Sequence, residues 1–134
     1  MNPFEQTKRC VDRLHAEYQK HPRLIVAVDF DDTVFNFHNY PDTDYDRIKA
    51  VLKRCAALKF YIVCFTASPI NRYSFIREHF LHEYKIPLDG INQNVIDSLY
   101  GKNGKIYFNI LLDDRAGLSQ ALEILEQLLN KIEQ

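Results

Sequence analysis

The sequence predicts a three-layer α/β domain, a mainly parallel sheet with helices on both faces. Three observations carry this. Three apolar runs of strand length lie at 24–28, 60–65 and 106–112. The stretches between them place apolar residues at helical spacing, and strands that alternate with helices form crossover units whose strands are parallel. The first two runs are continuously apolar and the third is broken only by Asn109, so none alternates, the pattern of a strand covered on both faces.

The elements follow in order. Asn2 before Pro3 is a helix start, with Asn as cap and Pro at the first helical position. Phe4, Val11, Leu14 and Tyr18 then recur at helical spacing as far as Lys20, and His21-Pro22 closes the helix because Pro disfavours helical geometry in the residue before it. The first strand ends abruptly in Asp29-Phe30-Asp31-Asp32-Thr33. An aromatic, turn-like loop passes through Tyr40-Pro41-Asp42, and Asp44 caps a helix to about Leu58 that buries Ile48, Val51, Leu52 and Cys55. The second strand breaks at Thr66-Ala67-Ser68-Pro69, and a helix over 70–84 follows with Tyr73, Ile76, Phe80 and Leu81 on its apolar face. Pro87, Gly90, Gly101 and Gly104 punctuate 85–104, with a short edge strand expected at 88–92. The third strand ends in Asp113-Asp114. Gly117 and Ser119 precede a last amphipathic helix with Leu122, Leu125, Leu128 and Leu129 on one face.

Composition narrows the class. A chain of 134 residues is expected to be one domain over 1–134, large enough to bury a core without disulfide or metal staples. Hydrophobic residues at 46% and charged residues at 26% argue against disorder. A net charge of −1 supplies no global basic field to draw the chain onto nucleic acid or an acidic membrane. The apolar runs are far shorter than a membrane span, and the polar N-terminus lacks the apolar core of a signal peptide. Cys10, Cys55 and Cys64 are odd in number and form no CxxC pair, so neither a disulfide framework nor a zinc site is implied. A cytoplasmic location is the expectation.

The strand ends carry the chemistry. The first ends in Asp29 and Asp31, the second in Thr66 and Ser68, the third in Asp113 and Asp114. In an open parallel sheet these carboxyl ends share one rim, where ligands bind. Carboxylates gathered there repel one another, and a hard divalent cation such as Mg²⁺ relieves the repulsion while taking water and phosphate oxygens. Lys105, just before the third strand, is placed to reach over the rim. These parts suit phosphoryl transfer: a carboxylate attacks phosphorus, a second one moves the proton, and fixed charges hold the equatorial oxygens. The plainer reading is a solvated Asp-rich turn capping a strand.

These residues resemble the haloacid dehalogenase (HAD) superfamily. DFDDTV at 29–34 resembles its first motif, Thr66 the second, Lys105 the third and ILLDD at 110–114 the fourth, in the right order. The resemblance implies a Rossmann-like fold and a Mg²⁺-dependent phosphatase. Asp29 would be nucleophile and metal ligand. Asp31 would be general acid/base and give its backbone carbonyl to the metal. Thr66 and Lys105 would hold the phosphoryl group, with Ala67 beside them, and Asp113 or Asp114 would complete the metal site. Lys102 competes with Lys105 for the third-motif role, and Asp32 stands where the family often has Gly. The gaps between motifs leave no room for a cap domain, so an open site is expected. That suits a small phosphorylated substrate, a phosphorylated polymer end, or closure by a second copy in a homo-oligomer.

Further residues stay open. Arg72 is either a second anion-binding group or a solvated helix charge. His38 and Tyr40 either touch substrate or are plain loop residues, and Asn92 and Asn94 either line the pocket or make turns. Arg115 is expected to pair with Asp113-Asp114, and Cys64 to pack in the core. A response-regulator receiver fits poorly, because its phospho-accepting Asp would have to sit where Phe65-Thr66 stand. The remaining alternative is a non-catalytic HAD-like module that binds metal or phosphate.

Overall fold

The structure, a computed structural model, describes residues 2–41, 43–95 and 106–134. The chain forms the expected α/β architecture, an all-parallel sheet with helices around it. Helix α1 spans Pro3–Lys20. Asn2 accepts from the Glu5 N–H at 2.9 Å while the Glu5 carboxylate accepts from the Asn2 N–H at 3.1 Å, a reciprocal cap that satisfies two orphan donors. Strand β1 (Ile25–Asp29), helix α2 (Tyr45–Ala57) and strand β2 (Tyr61–Phe65) follow. Next come α3 (Tyr73–His79), strands β3 (Gly90–Ile91) and β4 (Ile110–Leu112), and helix α4 (Leu118–Glu133). The strand order is β3-β2-β1-β4.

One face of the sheet builds the core. Val26 and Val28 are in register with Ile62 and Cys64 on one side and with Ile110 and Leu112 on the other. Val11 and Leu14 of α1, Ile48, Val51, Leu52 and Cys55 of α2, Ile76 of α3 and Leu122, Leu125, Leu128 and Leu129 of α4 join them in one cluster. The alternate set, Ile25, Ala27 and Val63, is also buried. Burial pushes the thiols of Cys55 and Cys64 up to about 12, so both are inert core groups. Arg47 grips Glu126, and Arg54 holds Glu133 and Asn130, tying α2 to α4.

Four expectations are corrected. The third strand begins at Ile110, not at 106. Its partner β1 begins at Ile25, and side chains replace the missing ladder. Asn109 Oδ1 takes the Ile25 N–H at 2.7 Å, and Asn94 Oδ1 takes the Tyr107 N–H at 2.8 Å. The edge strand shrinks to two residues, because the side chains of Asp89 and Asn92 continue its pairing to Ile62 and Thr66. Phe4 is 83% exposed, since the buried stripe of α1 starts only at Thr7. Leu81 is half exposed: a 3₁₀ turn (Ile70–Arg72) opens this helical run and a π turn (Phe80–Tyr84) ends it, so the buried stripe is Ile76, Phe80 and Tyr84. The Tyr84 hydroxyl donates to the Val34 carbonyl at 2.9 Å, anchoring that stripe to the loop after β1. No described helix is long and apolar enough to cross a membrane.

Candidate functional site

The chain leaves β1 toward β2 and β3, then returns to place β4 on the other side of β1. The topological switch point therefore lies at the carboxyl ends of β1 and β4, the place where open α/β sheets bind ligands. Asp29 is the last residue of β1, paired with Phe65, and Asp113 and Asp114 follow β4 directly. An open cleft of ≈ 690 Å³ lies there. It is lined by Asp29, Asp31, Thr66, Ala67, Asp113 and Asp114, among others, so the sheet gathers acids that are far apart in sequence.

Asp29, Asp113 and Asp114 each offer a carboxylate oxygen, and the three oxygens lie within 4.8 Å of one another. That is about the span across one hard cation, whose oxygen ligands sit at ~2.0–2.6 Å. The donor set is all-carboxylate, which fits Mg²⁺ or Ca²⁺ and not a soft metal. The crowding is legible in Asp29 itself. Burial, then the charge of Asp113 and the proximity of Asp114, push its carboxyl up to about 7 against the lowering effect of the Phe30 N–H. A cation would reverse that balance. Both Asp113 and Asp114 belong to the group, where the sequence left a choice between them. The Asp31 carboxylate lies outside it among the described residues.

Thr33 joins the two sides of the site. It is fully buried, and its hydroxyl accepts the Asp114 N–H at 3.0 Å. The single hydroxyl proton faces Asp29 Oδ2 and Asp114 Oδ1, each at 3.3 Å. A threonine four residues after the first aspartate was the sequence signal for this bridge, and it reads equally as a turn residue.

Asp31 faces Arg72. The guanidinium spans both Asp31 oxygens at 2.7 and 2.8 Å and also reaches Ser68 Oγ at 2.7 Å. Its carbon lies 5.3–5.8 Å from the ring centres of Phe30, Phe35, Phe37 and Phe75. Arg72 is thus a fixed ion-pair partner within an aromatic surround rather than a solvated helix charge.

Thr66 follows β2 directly, inside a bracket made by one side chain. Asn92 Oδ1 accepts the Thr66 N–H at 2.9 Å, and Asn92 Nδ2 donates to the Thr66 carbonyl at 2.7 Å and to the Tyr73 hydroxyl at 3.0 Å. The Thr66 hydroxyl accepts the Ser68 N–H at 3.0 Å, and Thr66 lines the cleft. Ala67 is exposed on the cleft wall. Asp32, unexplained by the motif, is buried with a left-handed φ of 63°. It accepts the His38 backbone N–H at 2.9 Å and also meets the His38 ring nitrogen. Burial works to raise its carboxyl, and these bonds to His38 outweigh it and hold the group below the usual range. His38 lines the cleft with Phe37.

Arg115 corrects an expectation. Its backbone N–H donates to Asp113 Oδ1 at 2.9 Å, and its side chain makes no ion pair among the described residues. Asn94 acts through its bond to Tyr107 rather than in the cleft. Lys102 and Lys105 lie outside the described residues.

Comparison with known proteins locates the fold and goes no further. A solved structure of a conserved protein from Bacteroides thetaiotaomicron superposes with a TM-score of 0.60 over 84% of this chain and 93% of that one, at 16% identity. No family model and no curated protein matches the sequence.

Proposed function

We propose that this chain is a Mg²⁺-dependent phosphohydrolase of the HAD type, acting through an aspartyl-phosphate on Asp29. The observation that carries the reading is the convergence of Asp29, Asp113 and Asp114 at the switch point, in one cleft with Thr66. Asp29, Asp113 and Asp114 would hold the cation, which supplies charge neutralisation for the phosphoryl oxygens when bound.

The chain's own groups do the rest. An Asp29 carboxylate oxygen attacks phosphorus, and the bond from phosphorus to the ester oxygen breaks. Asp31 protonates the departing oxygen, then takes a proton from the water that attacks phosphorus and releases phosphate, restoring Asp29. The Thr66 hydroxyl donates to a phosphoryl oxygen, with Lys105 or Lys102 as the cationic partner. Arg72 holds the Asp31 carboxylate in one orientation, a positioning role.

The test is release of inorganic phosphate from p-nitrophenyl phosphate and a panel of phosphorylated metabolites. EDTA is expected to abolish turnover and Mg²⁺ to restore it. Silence on every ester with metal bound overturns the reading.

A second reading is a non-catalytic module that binds metal or phosphate, and the two-point grip of Arg72 on Asp31 favours it, because the guanidinium already occupies both carboxylate oxygens. Wild-type turnover separates the two, and Arg72→Met tests the positioning role. The four surrounding rings accept a thioether, so the fold should persist. On the catalytic reading kcat falls about 10–100-fold, while Mg²⁺ affinity measured by calorimetry is unchanged. A folded variant with the wild-type kcat removes the positioning role.

A further inference from the structure

The loop after Thr33 carries its aromatic rings in two directions. Phe35 turns inward, stacked on Phe30 with ring centres 5.2 Å apart and 5° between planes. Phe37 and Tyr40 turn outward and are 57% and 49% exposed. Between them the His38 ring meets Phe37 edge-on at 4.7 Å and stacks on Tyr40 at 5.3 Å. The three rings form one lip.

That lip is built, not loose. His38 is held at its backbone and its ring by Asp32. Asp32 is buried and takes a left-handed backbone, uncommon outside glycine. A buried carboxylate in a costly conformation is committed to orienting an exposed ring. Such a device on a water-facing loop serves a ligand better than it serves the core. Phe37 and His38 line the same cleft as Asp29 and Thr66.

Among the described residues the carboxylates beside the lip and the Asn92 amide are already engaged, while the Arg115 guanidinium on the cleft wall makes no ion pair. Both Asp32 oxygens meet His38, both Asp31 oxygens meet Arg72, and the Asn92 amide bonds Thr66 and Tyr73. Among the described residues a hydroxyl-rich leaving group therefore finds few free acceptors there. A flat π-surface needs none, because it stacks on rings whatever its edge chemistry.

We infer that the aromatic lip receives the ring system of the leaving group, so that the preferred esters are nucleoside 5′-phosphates, free or at a strand end. Hydrolysis of the ester rests on the phosphohydrolase reading; the stacking contact does not. AMP and ribose 5-phosphate differ only by the base and form the matched pair for the test. With wild-type protein and Mg²⁺, kcat/KM for AMP should exceed that for ribose 5-phosphate by about tenfold. The double variant Phe37→Ala, Tyr40→Ala should lose that advantage, the ratio of the two kcat/KM values falling to about one, while any effect of Phe37 on Arg72 lowers both values alike and leaves the ratio untouched. Equal wild-type values for the two esters, or an unchanged ratio in the variant, overturn the inference and leave the phosphohydrolase reading standing. Absence of hydrolysis from every ester overturns that reading instead. Calorimetry with AMP and ribose 5-phosphate then still decides the lip: base-dependent binding lost in the double variant supports it, and equal binding of the two overturns it. A 5′-phosphorylated tetranucleotide distinguishes the sources of the base. Faster turnover than AMP assigns strand ends, slower turnover assigns free nucleotides, and both outcomes support the contact.

Discussion

Asp29→Asn is expected to lower turnover by at least about a thousandfold and, in EDTA, to make the protein more stable. The loss follows from chemistry: an amide oxygen does not replace a carboxylate as the attacking group on phosphorus. The gain follows from electrostatics. Burial, with Asp113 and Asp114 alongside, raises the Asp29 carboxyl to about 7 in the metal-free protein, far above its unfolded value. An acid whose folded pKa is raised binds a proton in the folded state that the unfolded state has released. Stability therefore falls as pH rises from about 4 to about 7, and the neutral amide escapes that penalty. Asp29 is half-buried and partly screened, so the gain is expected to be about 1 kcal/mol, or ~4 °C in Tm for a chain of this size. The Tm difference between variant and wild type should widen between pH 4 and pH 7 and level off above. Added Mg²⁺ should raise the wild-type Tm more than that of the variant. A variant less stable than wild type in EDTA at pH 8 contradicts this account of the site.

The same crowding shows how a sequence displays its chemistry. The strands were readable because a strand covered on both faces must be apolar throughout, and their acidic ends were readable because charge has no place in such a run. What escaped depended on backbone excursions or distant partners. The residues at 106–108 read as strand because they are apolar, yet Phe108 serves by packing its ring on Phe65 at 5.5 Å, outside any ladder. Asp32 could not be assigned because its role requires a positive φ and a histidine that returns six residues later. Arg72 looked like a free cation because Asp31, its partner, stands 41 positions away. Asn92 reads from sequence as either part of the pocket wall or a turn residue, and it is both, lining the cleft with the same left-handed backbone. Its amide nevertheless fixes the backbone of Thr66, which no local pattern announces.

Thr33→Val should weaken Mg²⁺ binding about 10–100-fold without touching any group that bonds to phosphorus. The substitution keeps the shape of a fully buried side chain, so it opens no cavity. It removes one hydroxyl that serves three groups: it accepts from the Asp114 N–H and offers its proton to Asp29 and Asp114. The Asp114 N–H loses its partner, and two carboxylates lose the donor that holds them at one another's distance. An unmet backbone donor and the lost bond cost about 1–3 kcal/mol of stability, roughly 4–12 °C. Thr33→Ser keeps the hydroxyl and should restore the metal affinity, which separates the hydrogen bond from the packing. Because the defect lies in cation binding rather than in the nucleophile, saturating Mg²⁺ should return kcat to within severalfold of wild type, unlike Asp29→Asn at any metal concentration. Calorimetric titration of Mg²⁺ into the three proteins decides the matter. An unchanged Kd in a folded Thr33→Val protein would show that Asp29 and Asp114 hold their places without the bridge. The strand ends alone would then account for the geometry of the site.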